Sequence, residues 1–99
     1  MDQVVDFESI KITNNPDESR FEAEVGEHLA IISYSQNEER IAFIHTDVPQ
    51  EISGHGVAGK MAKFALDFAR EEGLRVIPIC PFVSGYIKRH PEYQDLVGR

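Results

Sequence analysis

The chain has a single cysteine among its 99 residues, so no intrachain disulfide can staple it, and the cytoplasm is the expected compartment. No apolar run approaches the length needed to cross a bilayer. The opening MDQVVDFESI is acidic and lacks a basic stretch ahead of an apolar one, so it does not read as a secretory leader. Basic residues are scarce: ten Lys and Arg stand against seventeen Asp and Glu, a net charge of −7. That balance argues against a protein that tracks nucleic-acid phosphates, which needs a basic face. Solubility is its plainer meaning; the sharper one is attraction for a cationic partner, such as an amine or a lysine-bearing peptide. No repeat, low-complexity tract or linker divides the sequence, and its length suits one domain with one core, residues 1–99. A metal site is not expected, because Cys80 and the four histidines show no ligand spacing.

Strand patterns fill the first half. SIKIT (9–13) runs into the turn-rich NNPDES, and RFEAEV (20–25) alternates with Phe21, Ala23 and Val25 on one face. Gly26 and Glu27 form the expected hairpin turn into HLAIISYS (28–35), and RIAFIHTDV (40–48) is closed by Pro49. The period then changes. Val57, Met61, Phe64 and Phe68 step by four, three and four, which predicts one apolar stripe on a helix over 57–72, with Gly73 as its C-terminal cap. LRVIPIC (74–80) reads as the next strand, and FVSGYIKRH (82–90) as a second helix with Pro81 at its first position and Cys80 at its cap. A crossover helix requires strands 40–48 and 74–80 to be parallel neighbours in one sheet.

Two segments carry chemistry. The first, PQEISGHGVAGKMA, places Gly54, Gly56 and Gly59 where a strand leads into a helix N-terminus, so unpaired amides and the dipole can hold a phosphate. Taken alone this is more often just a turn. It is neither a P-loop, since Lys60 is followed by Met61, nor the first turn of a dinucleotide fold, since antiparallel strands precede it. The second, VIPICPF, breaks a strand with Pro78 and ends it on the lone thiol. Pro78 by itself marks an edge strand, and a lone cysteine among apolar residues is usually an inert core thiol.

The glycine segment resembles the acyl-CoA pyrophosphate loop of GCN5-related N-acetyltransferases (GNAT), Gln/Arg-x-x-Gly-x-Gly/Ala. Gly56 and Ala58 match its last two positions, and Ser53 stands where Gln or Arg is usual. HTDVP together with CPFVSGYIKRHPEY is similar to the small single-domain branch of that superfamily, with H-T-[ED]-V-P and C-P-F-V-x-x-Y-I-x-x-H-P-E-Y; the likeness runs from RFEAEV to the end. The resemblance implies a mixed α+β fold of the α/β type, a truncated GNAT-like acyl-CoA N-acyltransferase. Antiparallel strands are followed by strand-helix-strand-helix, and the parallel strand pair splays to admit the pantetheine arm. Pro78 is tolerable where its neighbour strand has already parted.

The resemblance further implies acetyl-CoA or coenzyme A as the cofactor. Backbone groups from Ile44 to Thr46 would meet the pantetheine amides; Ser53, Gly54, His55, Gly56, Val57, Ala58, Gly59 and Lys60 would meet the diphosphate. Tyr86 would stack on or bond the cofactor, and Lys88 or Arg89 would meet its 3′-phosphate, although a basic pair at a helix C-terminus also complements the dipole without any ligand. Cys80 and His45 are the catalytic candidates. Either Cys80 takes the acyl group as a thioester with His45 as base, or the amine attacks directly while His45 removes its proton and Cys80 or Tyr86 protonates the departing thiolate. His28 and His90 are expected to be structural or solvent-facing. The acceptor is a primary amine, a protein lysine or a long amine, because NNPDES is too short to build an enclosed acceptor pocket; no nucleic acid and no membrane is expected as partner. A non-catalytic CoA-binding module is the alternative, and a fold-only interaction protein the third possibility.

Overall fold

Period-two patterning governs the first half of the chain. In the computed structural model, which describes residues 10–98, it gives four antiparallel strands: β1 (Lys11–Asn15), β2 (Arg20–Val25), β3 (His28–Gln36) and β4 (Arg40–Asp47). Strand β5 (Arg75–Pro78) pairs in parallel with β4 and completes a sheet in the order β1-β2-β3-β4-β5. Two helices, α1 (Val57–Glu71) and α2 (Pro81–Arg89), flank β5, and 3₁₀ turns occupy Gln50–Ile52 and Pro91–Leu96. Ser9, the expected start of the first strand, and the acidic opening segment lie outside the described residues.

Most of the expected elements are present, with differences that have physical causes. Asn14 and Asn15 read as turn residues, yet both belong to β1. Their side chains find partners elsewhere: Asn14 accepts a bond from the Tyr34 hydroxyl at 2.7 Å, and Asn15 donates to Glu22 at 2.9 Å. Such tertiary contacts override local turn preference. Gly26, at φ +61°, supplies the positive dihedral that a tight hairpin turn between β2 and β3 demands. Gly73, at φ +68°, closes α1: its N–H reaches Arg70 O and that of Leu74 reaches Ala69 O, the paired bonds of a Schellman ending. The 3₁₀ segment Pro91–Leu96 has no periodic signature. It is tied to α1 by Tyr93, whose hydroxyl donates to Asp67 at 2.7 Å, and by a bidentate Arg70–Asp95 pair at 3.0 Å.

The core lies between one sheet face and the helices. Phe21 is fully buried at its centre, with Tyr34, Phe43, Phe64 and Phe68 packed around its ring at centroid distances of 5.1 to 6.2 Å. The buried stripe of α1 is Val57, Met61, Ala62, Ala65, Leu66 and Ala69, whereas Phe64 stays 39% exposed. The stripe is thus turned from the expected one: alanines let the helix backbone approach the sheet, and the two phenylalanines clasp Phe21 from the side. Tyr86 of α2 lies against Gly59 of α1, so both helices cover the same face. On the opposite face Leu29, Ile44 and Ile77 remain between 37% and 45% exposed. Among the described residues no helix is long and apolar enough to cross a membrane.

Candidate functional site

The site begins where β5 leaves β4. Their ladder runs from Arg40 opposite Arg75 to Phe43 opposite Pro78, and there it stops. Pro78 has no N–H to give, and its fixed φ suits the centre of a three-residue turn. That turn is present: Ile79 N–H bonds back to Ile77 O at 3.1 Å, and the last link across the gap is Cys80 N–H to Phe43 O at 2.8 Å. Strand β4 continues to Asp47 with β3 on one side and, beyond Phe43, no strand among the described residues on the other. The lone proline in the strand therefore marks the point at which two parallel strands separate.

An irregularity in β4 sits at the same level. Ser33 faces His45 but Tyr34 faces Phe43, which leaves Ile44 as an extra residue, a β-bulge. The bulge sends two successive side chains, Ile44 and His45, to the bare face, where both are exposed. It returns Thr46, opposite buried Ile32, to the helix-covered face. There the Thr46 hydroxyl meets the Cys80 sulfur at 3.1 Å. Cys80 is 3% exposed and caps α2 with no side-chain bond to that helix. Among the described residues no hydrogen bond joins Cys80 to His45; Ser33 Oγ donates to the His45 carbonyl at 3.4 Å. The structure thus brings Cys80 to Thr46 and sets His45 on the other side of the sheet.

The glycine segment forms a cavity of about 350 Å³ lined by Ser53, Gly54, Gly56, Val57, Ala58 and Gly59 together with Val48, Ile52 and Phe82. Gly54 and Gly56 have φ of +81° and +78°, and a Cβ on either would meet no heavy atom within 4 Å. Both glycines therefore keep room free and hold a backbone shape that other residues resist. The first helical bond of α1 is Lys60 N–H to Gly56 O at 3.0 Å, so the amides of Val57, Ala58 and Gly59 precede the ladder and have no intrahelical acceptor. The first turn of α1 carries no acidic residue. Three such donors at a positive dipole end, beside space without side chains, fit a diphosphate.

Two residues of the cavity lining, Val48 and Phe82, each lie two positions beyond a member of the Thr46–Cys80 pair, which sets the cavity next to the strand gap. Sequence reasoning missed Val48, Ile52 and Phe82. The available signal was an apolar residue on each flank of a polar glycine loop. It also missed the Thr46–Cys80 bond, which depends on two segments far apart in the chain.

The remaining candidates fall outside the cavity lining. His55 and Lys60 are exposed at its rim. Tyr86 is 8% exposed and stacks on His90 with centroids 4.0 Å apart, and burial pushes its phenol above the usual range. That stacking gives His90 a packing role, with its Nδ1 3.7 Å from Glu92. Lys88 and Arg89 are exposed on the last turn of α2.

Comparison with known proteins places this geometry in a family. The profile described as GCN5-related N-acetyl-transferase matches residues 20–96, which includes β2 to β5, the glycine turn and both helices. Protein NATD1 of Homo sapiens and of Gallus gallus is 38% identical over 68 residues, 68% of this chain. The match takes in 60% of the human protein's length and 62% of the chicken protein's. A solution structure from Staphylococcus aureus, described as GCN5-like, superposes with a TM-score of 0.68 at 33% identity, covering 89% of this chain and 87% of that one. The chain belongs to the GCN5-related N-acetyltransferase family.

Proposed function

We propose that the chain is an N-acetyltransferase that moves an acetyl group from acetyl-CoA to a primary amine. The observation that carries this reading is the adjacency of the glycine cavity to the β4–β5 gap, with a thiol on one side of the gap and an imidazole on the other. In this reading the amides of Val57, Ala58 and Gly59 hold the diphosphate, with Ser53, His55 and Lys60 at the rim. The β4 main chain from Ile44 to Thr46 holds the pantetheine amides, and Lys88 or Arg89 meets the 3′-phosphate. Acetyl-CoA supplies a carbonyl carbon already activated as a thioester.

Two routes use these groups differently. In direct transfer, His45 takes a proton from the incoming ammonium on the bare face, the amine nitrogen bonds to the carbonyl carbon, and the C–S bond breaks. Cys80, with the Thr46 hydroxyl beside it, gives its proton to the departing sulfur; the new amide nitrogen sheds its second proton and the Cys80 thiolate regains one through water. In the covalent route the Cys80 thiolate, its proton passed to the CoA sulfur that leaves, takes the acetyl group as a thioester, and the amine then displaces the Cys80 sulfur. The placement of His45 and Cys80 on opposite sides of the sheet favours direct transfer, because amine and leaving thiolate then meet separate proton carriers.

A second reading, a CoA-binding module without transfer, is favoured by the burial of Cys80 and the distance in the fold between it and His45. Calorimetry with CoA, turnover of acetyl-CoA with a panel of amines, and intact mass after acetyl-CoA incubation separate the cases. Turnover without a mass adduct supports direct transfer, and an adduct on Cys80 supports the covalent route. CoA binding with neither leaves the binding module, and no CoA binding ends the whole reading.

A further inference from the structure

Four of the five large apolar side chains that stay exposed among the described residues, Leu29, Ile44, Ile77 and Ile79, lie on the bare face of the sheet or continue its alternation. Ile44 and Ile77 are near neighbours across β4 and β5, since Ala42 stands opposite Ile77, and exposed apolar side chains grouped in this way mark an interaction site. Its two ends differ in charge. At the end near the β4–β5 gap, Asp47 stands opposite Ile31, and Glu24 stands opposite Leu29. At the other end Arg40 and Arg75 face each other in register.

Like charges directly opposite on neighbouring strands repel, so this pair calls for a counter-anion. The described residues do not supply one fully. Among the described residues the ion pair of Arg40 is the loose contact with Glu39 at 3.6 Å. Arg75 gives its Nη1 to a main-chain oxygen, Asp95 O, at 2.9 Å, while the Asp95 carboxylate is held by Arg70. Hollows of about 440 and 180 Å³ flank Arg40, the first also lined by Arg75 and by Asp95, whose charge Arg70 holds, and the second by Ala42 and Ile77. Elsewhere on this face Arg20 pairs with Glu22 at 2.7 Å and Lys11 stands opposite Glu24, which leaves Asp47 as the acid of the gap end.

We propose that this face docks an extended polypeptide segment of an acceptor protein, which lays its lysine at the Asp47 end and an acidic residue between Arg40 and Arg75. The orientation rests on the transferase reading, which puts the acetylated amine at the gap. The span from Arg40 to Asp47, less the bulged residue, is about six strand rises of ~3.3 Å, so lysine and acid lie about six positions apart in an extended chain. Apolar side chains between them cover Ile44 and Ile77. An anionic membrane fits less well, since Asp47 and Glu24 would face its headgroups and the net charge is −7.

Fluorescence anisotropy with a labelled synthetic peptide carrying lysine and glutamate about six positions apart tests the proposal. It should bind, and replacing that glutamate by lysine should weaken binding roughly tenfold. The protein variant Arg40→Glu/Arg75→Glu should reverse the preference, binding the lysine-replaced peptide better, with its CoA affinity and melting temperature near the parent's. A single Ile77→Asp substitution, also on the surface, should weaken both peptides. Equal affinity for the two peptides, or no reversal in the charge-swapped variant, overturns the proposal; so does a dimer that Ile77→Asp dissociates, which would show a second copy on this face. Acetyl-CoA turnover with a simple alkylamine, run in parallel, isolates the other failure. Absence of that turnover counts against the transferase, while the binding data still answer whether the face docks peptide.

Discussion

The hydroxyl of Thr46 lies 3.1 Å from the sulfur of Cys80, joining strand β4 to the cap of α2 across 34 residues of sequence. The bond exists because the bulge at Ile44 shifts the alternation of β4 by one, so that Thr46 faces the helices. In the transferase reading Thr46 steers the thiol and can relay a proton from water to the thiolate after each turnover. Thr46→Val keeps the branched shape and removes the hydroxyl. It should cost about 1 kcal/mol in stability and lower kcat while leaving KM for acetyl-CoA close to the parent value. Thr46→Ser should recover most of kcat. An unchanged kcat in Thr46→Val would exclude a proton-handling role.

Gly56 and Gly73 make a matched pair. Both have positive φ with open space where a Cβ would stand, but only Gly56 lines the cavity. Gly56→Ala and Gly73→Ala should each lower stability by about 1 kcal/mol from backbone strain. Only Gly56→Ala should weaken CoA binding, by roughly tenfold or more. Isothermal calorimetry alongside thermal melts would show the difference, and equal CoA affinity in the two variants would remove the diphosphate from the glycine turn.

His45 is exposed on the bare face, so its replacement leaves the core alone. His45→Gln should reduce amine acetylation by about 10²-fold or more, the usual share of a positioned base. CoA affinity should hold, and the rate should rise again at alkaline pH as the amine loses its proton unaided. Full activity at neutral pH would mean that another group, or water, removes the proton.

The contact between Tyr93 and Asp67 has a pH signature. Burial, then the bond to Asp67, pushes the Tyr93 phenol up to about 12. A phenol raised above its unfolded value stabilises the fold fully below pH ~10 and loses that contribution as pH climbs through its folded value. Asp67 behaves oppositely: burial pulls it up, but bonds from Lys63 and Tyr93 outweigh that and lower it, so its contribution is present above the unfolded carboxylate range and fades as pH falls through the folded value. Ultraviolet titration should find one tyrosine ionising near pH 12 in the parent. Asp67→Asn should bring that value down partway, since the burial remains. No movement in the variant would show that Asp67 does not hold the phenol.

Backbone chemistry was the readable part of this fold. Gly56, Gly73, Pro78 and Pro81 constrain their own dihedrals or donors, so the turn into α1, the end of α1, the break in β5 and the start of α2 follow from single residues. Relations between distant strands were not readable. The bulge at Ile44 involves no glycine and shows only against Ser33 and Tyr34 across the ladder. With it goes the choice of which side of the sheet receives His45, and so the pairing of Cys80 with Thr46 instead. Asn14 and Asn15 illustrate the same limit: their partners, Tyr34 and Glu22, belong to other strands.

The three-residue turn at Pro78 makes the opening between β4 and β5 a permanent part of the covalent chain. Strands joined by ordinary amides would have to surrender hydrogen bonds whenever a guest slipped between them, and each surrender would be subtracted from its grip. Here the ladder already ends at Pro78, so in the transferase reading an arriving cofactor spends nothing on unzipping and a departing one leaves no seam to close.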